Sequence, residues 1–399
     1  MDTHRQKLET KYKDKIIKKL ELKPYISYKF NKDIPFLGLY HFEEAFSFKL
    51  VEILLDHVQA ASADYVLDPF CGAGTTVFTC GVTGIPSGGV DSLPLAWFIS
   101  RTIPQFLLVS PHEITNIWQT LSSEIDQCNP ANILEMPIMK DGFQEKTLLK
   151  LRKMKTAIKT LPHPYKDILL LLLLSILEEC SKTKKINRYP HIVNKKGANP
   201  ISAMNKKVFA TEKEVAKNVY TLKESPQVFL GDAANLDMSF SHKPTHIITS
   251  PPYPDTIDYV KSYALELCFH FVKSKKEFKN LQDTLLQSHT HAVPYNIESH
   301  PAVKEAADTL QANPDISRMI TAYFQDMNKV ITHWYTILKD SASVVMVVDN
   351  LVYHNEYIPT DVILSDIAQN TGFTIENIWV ANYRNTPIPV RESIVLWKK

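Results

Sequence analysis

The stretch Asp68-Pro69-Phe70-Cys71-Gly72-Ala73-Gly74-Thr75-Thr76 decides the fold of this chain. It follows a short apolar run at residues 65–67 and precedes a run that suits a helix ending near Gly84. Glycine permits the tight turn and the close backbone approach that such a junction needs. The stretch therefore predicts a buried strand, a glycine turn and a helix start, an arrangement that can hold a nucleotide-like cofactor.

Strand and helix patterns alternate outward from this turn. Gly88-Gly89-Val90-Asp91 predicts a second strand that is closed by an acid. Further strands and helices follow from apolar runs and from helical periodicity. The expected strands are residues 228–230, 246–249, 343–349, 374–383 and 392–397, and the expected helices are 8–20, 46–57, 114–125, 148–161, 165–180 and 362–370. This alternation predicts an α/β fold with a doubly wound, Rossmann-like sheet, a terminal antiparallel strand and a helical insertion after the second strand.

Charge is distributed unevenly along a chain of 399 residues whose net charge is only +2. Residues 1–30 carry nine Lys or Arg against four acids, and residues 182–207 carry eight Lys or Arg and no acid. Basic blocks on a near-neutral chain suggest a polyanionic partner such as nucleic acid. For residues 1–30 a merely solvated surface explains the charge equally well.

Cysteine usage and the apolar runs bear on where the protein works. Five cysteines without CxxC spacing argue against a disulfide framework or a zinc site, and we predict no bound metal. This pattern fits a reducing cytoplasm. The first residues lack the apolar region of a signal peptide. The apolar run at 168–177 is shorter than the roughly 20 residues of a membrane span, so we expect a cytoplasmic protein without a membrane segment.

Acids and hydroxyl groups at three predicted strand ends outline a cofactor site. Thr75 and Thr76 place free N–H groups at a helix start, which suits a carboxylate. Asp91 is spaced to accept hydrogen bonds from ribose hydroxyls, and Asp232 from an adenine amino group. A structural turn or a nicotinamide site would also explain the glycines. The acids Asp68, Asp91 and Asp232, which follow three predicted strands in this order, favour the cofactor site just described. The predicted cofactor residues are Asp68, Phe70, Gly72, Gly74, Thr75, Thr76, Asp91, Ser92, Leu93, Asp232 and Ala233.

A second motif, Thr249-Ser250-Pro251-Pro252-Tyr253, follows another buried strand. An exocyclic amine is a poor nucleophile because its lone pair is delocalised into the ring. Ser250 Oγ and the Pro251 carbonyl can accept its two N–H bonds, and the prolines stiffen the loop. Tyr253 can stack on a base, which is worth about 1–3 kcal/mol. A rigid loop with a packed tyrosine is the alternative interpretation.

Together these two motifs resemble the cofactor and catalytic motifs of S-adenosylmethionine-dependent DNA amino-methyltransferases. The resemblance covers residues 36–103 and 226–399, and residues 389–396 are similar to the closing strand of that family. Residues 39–46 look like its segment that contacts the methionine part of the cofactor. The resemblance implies direct methyl transfer from S-adenosylmethionine to a base flipped out of DNA. It assigns the catalytic roles to Ser250, Pro251, Pro252 and Tyr253.

The first residue of the catalytic motif bears on the target atom. In the family an acid or Asn usually leads the motif of adenine-N6 enzymes, and Ser is commoner in cytosine-N4 enzymes. Ser250 therefore favours N4-methylcytosine, in restriction-modification or phage defence, with a cognate restriction endonuclease as a candidate partner. An adenine-N6 enzyme, an RNA guanine-N2 methyltransferase and a silent DNA-binding subunit remain alternatives. Carbon-5 methylation is disfavoured because the chain has no Pro-Cys dipeptide to supply its nucleophile.

Three parts of the chain are expected: a basic N-terminal segment (1–35), a catalytic domain (36–103 and 226–399) and a helical insertion (104–225). The insertion is the candidate target-recognition region, although a scaffold or dimerisation role stays open because family members usually carry that region elsewhere. The segment 182–207 is expected to be an exposed loop. Its predicted DNA-binding residues are Lys184, Lys185, Arg188, Lys195, Lys196, Lys206 and Lys207.

Two smaller sets of residues allow more than one interpretation. Asp255 and Asp258 follow the catalytic motif, and they either line a base pocket or cap and pack a helix. Asn382 and Arg384 precede two prolines near the end of the chain and are candidates for DNA contact. Cys71 lies inside the glycine turn, where no partner suggests a nucleophile.

Overall fold

The computed structural model describes residues 2–42, 45–236, 240–384 and 388–399. Strands within these ranges form one large sheet and two small hairpins. The strands are β1 (Ile16–Lys18), β2 (Val66–Asp68), β3 (Ser87–Asp91), β4 (Thr183–Ile186), β5 (Tyr189–Ile192), β6 (Gln227–Leu230), β7 (His246–Thr249), β8 (Ser343–Asp349), β9 (Leu351–Tyr353), β10 (Glu356–Ile358), β11 (Thr374–Arg384) and β12 (Val390–Lys398).

Helices connect the strands and also build the insertion between β3 and β6. The helices are α1 (His4–Lys11), α2 (Phe48–His57), α3 (Thr75–Thr83), α4 (Pro94–Thr102), α5 (Pro111–Glu124), α6 (Pro137–Lys140), α7 (Glu145–Lys159), α8 (Tyr165–Ser175), α9 (Leu177–Cys180), α10 (Pro200–Lys217), α11 (Tyr259–Ser262), α12 (Ala264–Glu266), α13 (Lys275–Thr284), α14 (Pro301–Thr309), α15 (Pro314–Ile337) and α16 (Thr360–Thr371).

The large sheet has the strand order β1-β11-β12-β8-β7-β2-β3-β6. Strands β6, β3, β2, β7 and β8 run parallel, while β12 runs antiparallel to both β8 and β11. The predicted α/β class, with a mainly parallel sheet and an antiparallel strand near one edge, is confirmed. In such a sheet the carboxyl ends of neighbouring parallel strands meet at one edge, which is where ligands bind.

Burial explains why these segments form strands and helices. All seven residues of β8 are buried, as expected of an apolar strand that helices cover on both faces. Helix α2 buries Leu50 and Leu54 completely along its apolar face. Helix α3 ends at Gly84, whose φ of 85° suits glycine at a helix C-terminus.

The insertion packs as a bundle of helices around α8. Residues 168–174 of α8 are all buried, and they share one core with residues of α4 and of the chain ahead of the glycine turn. This continuous core holds the insertion against the cofactor side of the sheet. Within the described ranges, no helix is long and apolar enough to cross a membrane.

The N-terminal segment differs from the predicted helix at 8–20. Helix α1 ends at Lys11, and residues 16–18 form β1, which adds to the sheet edge parallel to β11. Arg5 donates hydrogen bonds to Glu305, to Glu356 and to the Tyr357 carbonyl. Tertiary pairing along β11 therefore overrides the helical pattern of the second half of this segment.

The segment 182–207 is not the exposed loop that its composition predicts. Its first part is the hairpin β4–β5, and its last part is the start of α10. Asn187 and Arg188 form the connection, with φ values of 49° and 70°. Two successive residues with positive φ are typical of the two-residue turns that match the twist of a hairpin.

Candidate active site

A cleft of about 330 Å³ lies where β2, β3, β7 and β8 end. It brings the two sequence motifs together, because Phe70, Gly72, Asp91, Ser92 and Leu93 line it along with the four residues Ser250, Pro251, Pro252 and Tyr253. The remaining lining residues are Ile26, Ser27, Phe42, Ala45, Arg188, Asp255, Tyr259, Leu285, Leu286, Asp349, Arg384 and Glu392. The sheet therefore supplies polar strand ends, and the surrounding loops supply apolar walls.

The glycine turn has the backbone that its sequence predicts. Gly72 and Gly74 have φ values of 49° and 81°, in the region that side-chain-bearing residues rarely adopt. A Cβ atom on Gly74 would lie 2.7 Å from the Ser100 backbone, so this position has no room for a larger residue. The turn thus brings its backbone close to the cleft and starts α3 beside it.

Asp91 closes β3 and faces the cleft. Its two carboxylate oxygens accept hydrogen bonds from the backbone N–H groups of Gly72 and Leu93, both at 2.9 Å. Burial raises the pKa of Asp91 to about 6, so the group is mainly ionised at neutral pH. Each oxygen keeps a lone pair for a further donor. A fixed carboxylate beside an apolar wall of Phe70 and Leu93 fits the ribose and the ring of a nucleoside.

Other predicted cofactor residues lie beside or beneath the cleft. Asp68 is 1% exposed, and it accepts hydrogen bonds from Thr249 Oγ1 at 2.6 Å and from the Phe70 N–H at 3.2 Å. Burial raises its pKa to about 6. Thr76 is fully buried, and its hydroxyl donates to the Ile248 carbonyl at 3.4 Å. These contacts tie the glycine turn to β7, so Asp68 and Thr76 support the site from below.

Thr75 lines a second cavity of about 180 Å³, which shares Phe42 and Ala45 with the main cleft. Asn31 also lines it and is 3% exposed. Its amide donates to the Phe46 carbonyl at 2.9 Å and accepts from the Phe48 N–H at 2.7 Å. This cavity at the start of α3 suits the methionine part of the cofactor. Residues 39–42, 45 and 46 of the predicted methionine-contacting stretch border it or lie nearby, and Glu43 and Glu44 lie outside the described residues.

Asp232 and Ala233 are not among the residues that line the cleft. The Asp232 carboxylate accepts a hydrogen bond from the Ala234 N–H at 2.9 Å, and Ala233 is buried. Asp232 follows β6, which is the edge strand beside β3. Their predicted contact with the adenine ring stays a prediction.

The catalytic motif begins where β7 ends. Ser250 Oγ lies 3.3 Å from the Tyr253 hydroxyl, within hydrogen-bond distance. Burial raises the pKa of Tyr253, and the nearby Asp349 carboxyl acts in the same direction, so the phenol is protonated at neutral pH. The loop after the motif is held from two sides. Tyr353 donates to the Pro254 carbonyl at 2.5 Å, and the Tyr189 hydroxyl accepts from the Asp258 N–H at 2.9 Å.

Asn382 and Arg384, the candidates for DNA contact, belong to a polar cluster on the wall of the cleft beside Tyr253. Sequence reasoning missed the other two members, Asp349 and Glu392, and the contact with DNA stays a prediction. Arg384 Nη2 lies 2.5 Å from Asp349 Oδ2 and donates to the Asn350 carbonyl at 2.9 Å. Glu392 lines the same wall and accepts from the Asn382 amide at 2.5 Å. Burial raises the pKa of Asp349 to about 8, although the Arg384 guanidinium opposes the shift. Asp349 ends a buried strand, as Asp68 and Asp91 do, and that shared signal could have identified it.

Asp255 and Asp258, each expected either to line a base pocket or to cap a helix, lie in different places. Asp255 lines the cleft, with its carboxylate 3.6 Å from Arg188 Nη1. Asp258 caps α11 by accepting a hydrogen bond from the Lys261 N–H at 3.0 Å. Cys71 is buried 3.3 Å from the Ser100 hydroxyl, and burial holds the pKa of its thiol well above the usual range. A protonated, buried thiol is a poor nucleophile.

The predicted DNA-binding residues fall into three groups. Lys184, Lys196 and Lys206 are exposed. Arg188 reaches the cleft. Lys185, Lys195 and Lys207 bond within the protein: the Lys185 ammonium lies 4.2 Å from the Tyr263 ring centre, Lys195 donates to the Glu178 carbonyl at 3.0 Å, and Lys207 donates to the Leu39 carbonyl.

Comparison with known proteins finds similarity to type II methyltransferases. It is 27% identical to the type II methyltransferase M.AvaI of Nostoc, over 94% of this chain and 86% of the relative. It is 26% identical to the type II methyltransferase M.BsoBI of Geobacillus stearothermophilus, over 99% of this chain and 92% of that protein. No protein-family model matches the chain. Among solved structures, the rRNA methyltransferase AviRa of Streptomyces viridochromogenes aligns with 89% of this chain and 85% of its own at 8% identity and a TM-score of 0.32.

These sequence relationships confirm the predicted resemblance to S-adenosylmethionine-dependent amino-methyltransferases. The cofactor is S-adenosylmethionine. The Asp91 carboxylate, the glycine turn and the apolar wall of Phe70 and Leu93 fit this cofactor.

Proposed function

We propose that this chain, as a relative of type II methyltransferases, transfers a methyl group from S-adenosylmethionine to the exocyclic N4 of cytosine in DNA. The observation that carries the proposal is the meeting of the two motifs in one cleft. Asp91 and the glycine turn line one part of it, and Ser250 and Tyr253 line another. A cofactor on the first part would present its methyl group to an amine on the second.

S-adenosylmethionine, when bound, supplies a methyl group on a positively charged sulfur. Asp91 would hold the ribose hydroxyls, and the N–H groups at the start of α3 would hold the carboxylate. Phe70 and Leu93 would cover the ring of the nucleoside. The pKa of Asp91, raised by burial to about 6, leaves this carboxylate charged at neutral pH.

At the reacting end, the amine is oriented by acceptors. Ser250 Oγ and the Pro251 carbonyl would accept its two N–H groups, which draws the nitrogen lone pair out of the ring and toward the methyl group. The nitrogen would become positively charged as it is methylated and would then release one proton to solvent water. Until that proton leaves, Ser250 Oγ, 3.3 Å from the Tyr253 hydroxyl, would accept a hydrogen bond from its N–H group. The Tyr253 ring would stack on the base. Positioning of this kind supplies much of an enzyme's acceleration without a covalent intermediate.

The preference for cytosine rests on Ser250, since an acid or Asn usually leads this motif in adenine-N6 enzymes. The restriction-modification or phage-defence setting and a cognate endonuclease are part of the same proposal, supported by the type II designation of the relatives. Phosphate contacts are proposed for the exposed Lys184, Lys196 and Lys206 and for Arg188. Lys185, Lys195 and Lys207 would first have to release their partners within the protein, and Arg188 would have to release Asp255.

The test is mass spectrometry of nucleosides from the DNA of cells that express the chain, compared with cells that express the S250A/Y253A variant. N4-methyldeoxycytidine that depends on the intact motif is the expected result. N6-methyldeoxyadenosine would overturn the assignment of the base and keep the mechanism. A modified nucleoside found only in RNA, or none in either nucleic acid, would overturn the proposal of a DNA methyltransferase.

A further inference from the structure

The hairpin β4–β5 is a compact two-stranded ribbon within the insertion. Four residue pairs oppose each other, from Thr183 with Ile192 to Ile186 with Tyr189. Its turn, Asn187-Arg188, is of the tight two-residue kind. At the base, Thr183 is fully buried, and its hydroxyl lies 2.6 Å from Ser181 Oγ. The ribbon therefore projects from a fixed base.

The tip of the ribbon is joined to the loop that follows the catalytic motif. The Tyr189 hydroxyl accepts from the Asp258 N–H at 2.9 Å and donates to the Thr256 carbonyl at 3.4 Å. Arg188, in the turn, lines the cleft itself. The tip of the ribbon therefore lies beside the cleft in which the base would be held.

The two faces of the ribbon differ in what they contact. Opposed residues of an antiparallel pair point to the same face, so Lys184, Ile186, Tyr189 and His191 share one face, on which Tyr189 at the tip is bonded to the loop after the catalytic motif. Lys184 and His191 are exposed, and Ile186 is 43% exposed. On the other face, Thr183 is buried and Lys185 lies over the buried Tyr263 ring, while Ile192 at the base is 48% exposed. The first face thus exposes the Lys184 ammonium, the His191 ring and the apolar side chain of Ile186 to solvent.

Size and charge both indicate the partner of this face. The major groove of DNA is about 12 Å wide and admits a two-stranded ribbon, whose strands lie about 4.8 Å apart. Residues 182–207 carry no acid, so this segment itself offers phosphates only cations and neutral groups, and the nearby Asp255 is paired with Arg188 at 3.6 Å. An apolar side chain such as Ile186 can contact the methyl group of thymine, and His191 can bond to a base edge.

We infer that the β4–β5 ribbon enters the major groove of the substrate DNA beside the flipped base, with Lys184, Ile186 and His191 against the groove. The inference rests on the proposed function, since it requires that DNA is the substrate. The ribbon then determines which sites are methylated, and the cleft determines which atom is methylated.

The K184A/I186A variant tests the inference, and K146A/L149A is its matched control. Lys146 and Leu149 are an exposed lysine and an exposed leucine on α7, and neither lines the cleft. Each protein is bound to duplex DNA that carries its methylation site and treated with dimethyl sulfate, which reports guanine N7 in the major groove. In parallel, kcat and KM for DNA and the affinity for S-adenosylmethionine are measured.

For the wild type and the control variant we expect protection of guanine N7 near the target base. For K184A/I186A we expect this protection to be lost, the KM for DNA to rise at least tenfold, and methylation to spread to related sites, while cofactor affinity stays unchanged. Unchanged N7 protection and site preference in K184A/I186A would overturn the assignment of the ribbon while leaving the proposed function intact. A wild-type protein that methylates no DNA would overturn both.

Discussion

The ring and the hydroxyl of Tyr253 have separate tasks in the proposed reaction. The ring provides a flat surface in the cleft, and the hydroxyl lies 3.3 Å from Ser250 Oγ. A residue with two tasks can be tested by removing one of them at a time. Since Tyr253 does not belong to the cofactor turn, both tests have cofactor affinity as an independent readout.

The Y253A variant should lose the stacking surface, while Y253F keeps it. Stacking worth about 1–3 kcal/mol predicts a fall in kcat/KM of roughly 5- to 150-fold for Y253A. We expect a smaller fall for Y253F, which loses only the contact with Ser250. Steady-state kinetics and calorimetry with S-adenosylmethionine measure the two effects. Loss of cofactor binding in Y253A would contradict the role assigned to the ring.

Asp349 differs from the other strand-end acids in how its charge is stabilised. Asp91 receives two backbone N–H groups, whereas Oδ1 of Asp349 has no hydrogen-bond partner among the described residues. Hydrogen bonds to a carboxylate favour its charged form and offset burial. This difference is consistent with a pKa of about 6 for Asp91 and about 8 for Asp349.

The pKa of Asp349 predicts a pH-dependent contribution to stability. The folded-state pKa lies above the unfolded value of about 3.9, so the folded protein binds this proton more tightly. The contribution of this bound proton to the free energy of unfolding is complete below the unfolded pKa and is lost as the pH rises through about 8. The free energy of unfolding of the wild type should therefore fall relative to that of D349N between pH 5 and about pH 9. Urea denaturation measures the difference, and D340N, at a fully exposed acid, is the control. A difference between wild type and D349N that does not vary with pH would contradict this assignment.

At the scale of elements, the basic segment is divided by its contacts rather than by its sequence. Lys196 and Lys206 are exposed, whereas Lys195 and Lys207 donate to the backbone carbonyls of Glu178 and Leu39. Burial also lowers the pKa of Lys207. We therefore expect Lys196 and Lys206 to contact DNA, and Lys195 and Lys207 to stabilise the fold.

Two double variants compare these roles directly. K196A/K206A should lower the slope of log affinity for DNA against log salt concentration by about 1.8, since each phosphate contact contributes about 0.9. Its stability should not change. K195A/K207A should lose about 1–3 kcal/mol of stability for each bond removed and keep the salt slope. Equal salt slopes for the two variants would contradict this division.

A second element, the N-terminal segment, is fixed to the end of the sheet by Arg391. This side chain donates to Asp361, which is 0% exposed, at 2.7 Å and to Glu9 of α1 at 2.7 Å. The guanidinium lowers the pKa of Asp361 and opposes the effect of its burial. Helix α1 is thereby bonded to β12 and α16 through one cation.

Replacing Arg391 with methionine should cost about 3–5 kcal/mol, because it leaves the buried Asp361 without its counter-charge. The double variant R391M/D361L should recover much of this loss, since it removes both charges. Chemical denaturation of the two single variants and the double variant measures the coupling. Additive losses would show that the pair does not act as a unit.

At the scale of the whole molecule, cofactor binding should stabilise the fold. The cleft is built from the ends of β2, β3, β7 and β8, so a ligand there binds only the folded chain. S-adenosylmethionine at 100 times its dissociation constant should add about 2.7 kcal/mol to the free energy of unfolding. D91A should lose most of this gain because the ribose contact is absent. A ligand-induced gain in D91A equal to that of the wild type would contradict the role of Asp91.

The parts of the fold that the sequence predicted are those that local rules determine. The apolar run of β8 and the glycines at 72 and 74 carry their signal in adjacent residues. The hairpin β4–β5 was missed because its lysines hide any apolar alternation. Its contacts to Asp258 and Tyr263 come from distant segments. The Asp349–Arg384 pair was missed for the same reason, since it depends on how β8 lies near β11.

The pairing of β1 with β11 has a consequence for biosynthesis. Residues 16–18 leave the ribosome long before their partners at 378–380. Until then the early segment has no strand to join, and Arg391 has not yet been made to bond to Glu9. This edge of the sheet therefore closes only after residues 378–380 have emerged, and a nascent chain held on the ribosome just before residue 374 should remain sensitive to protease within residues 4–20.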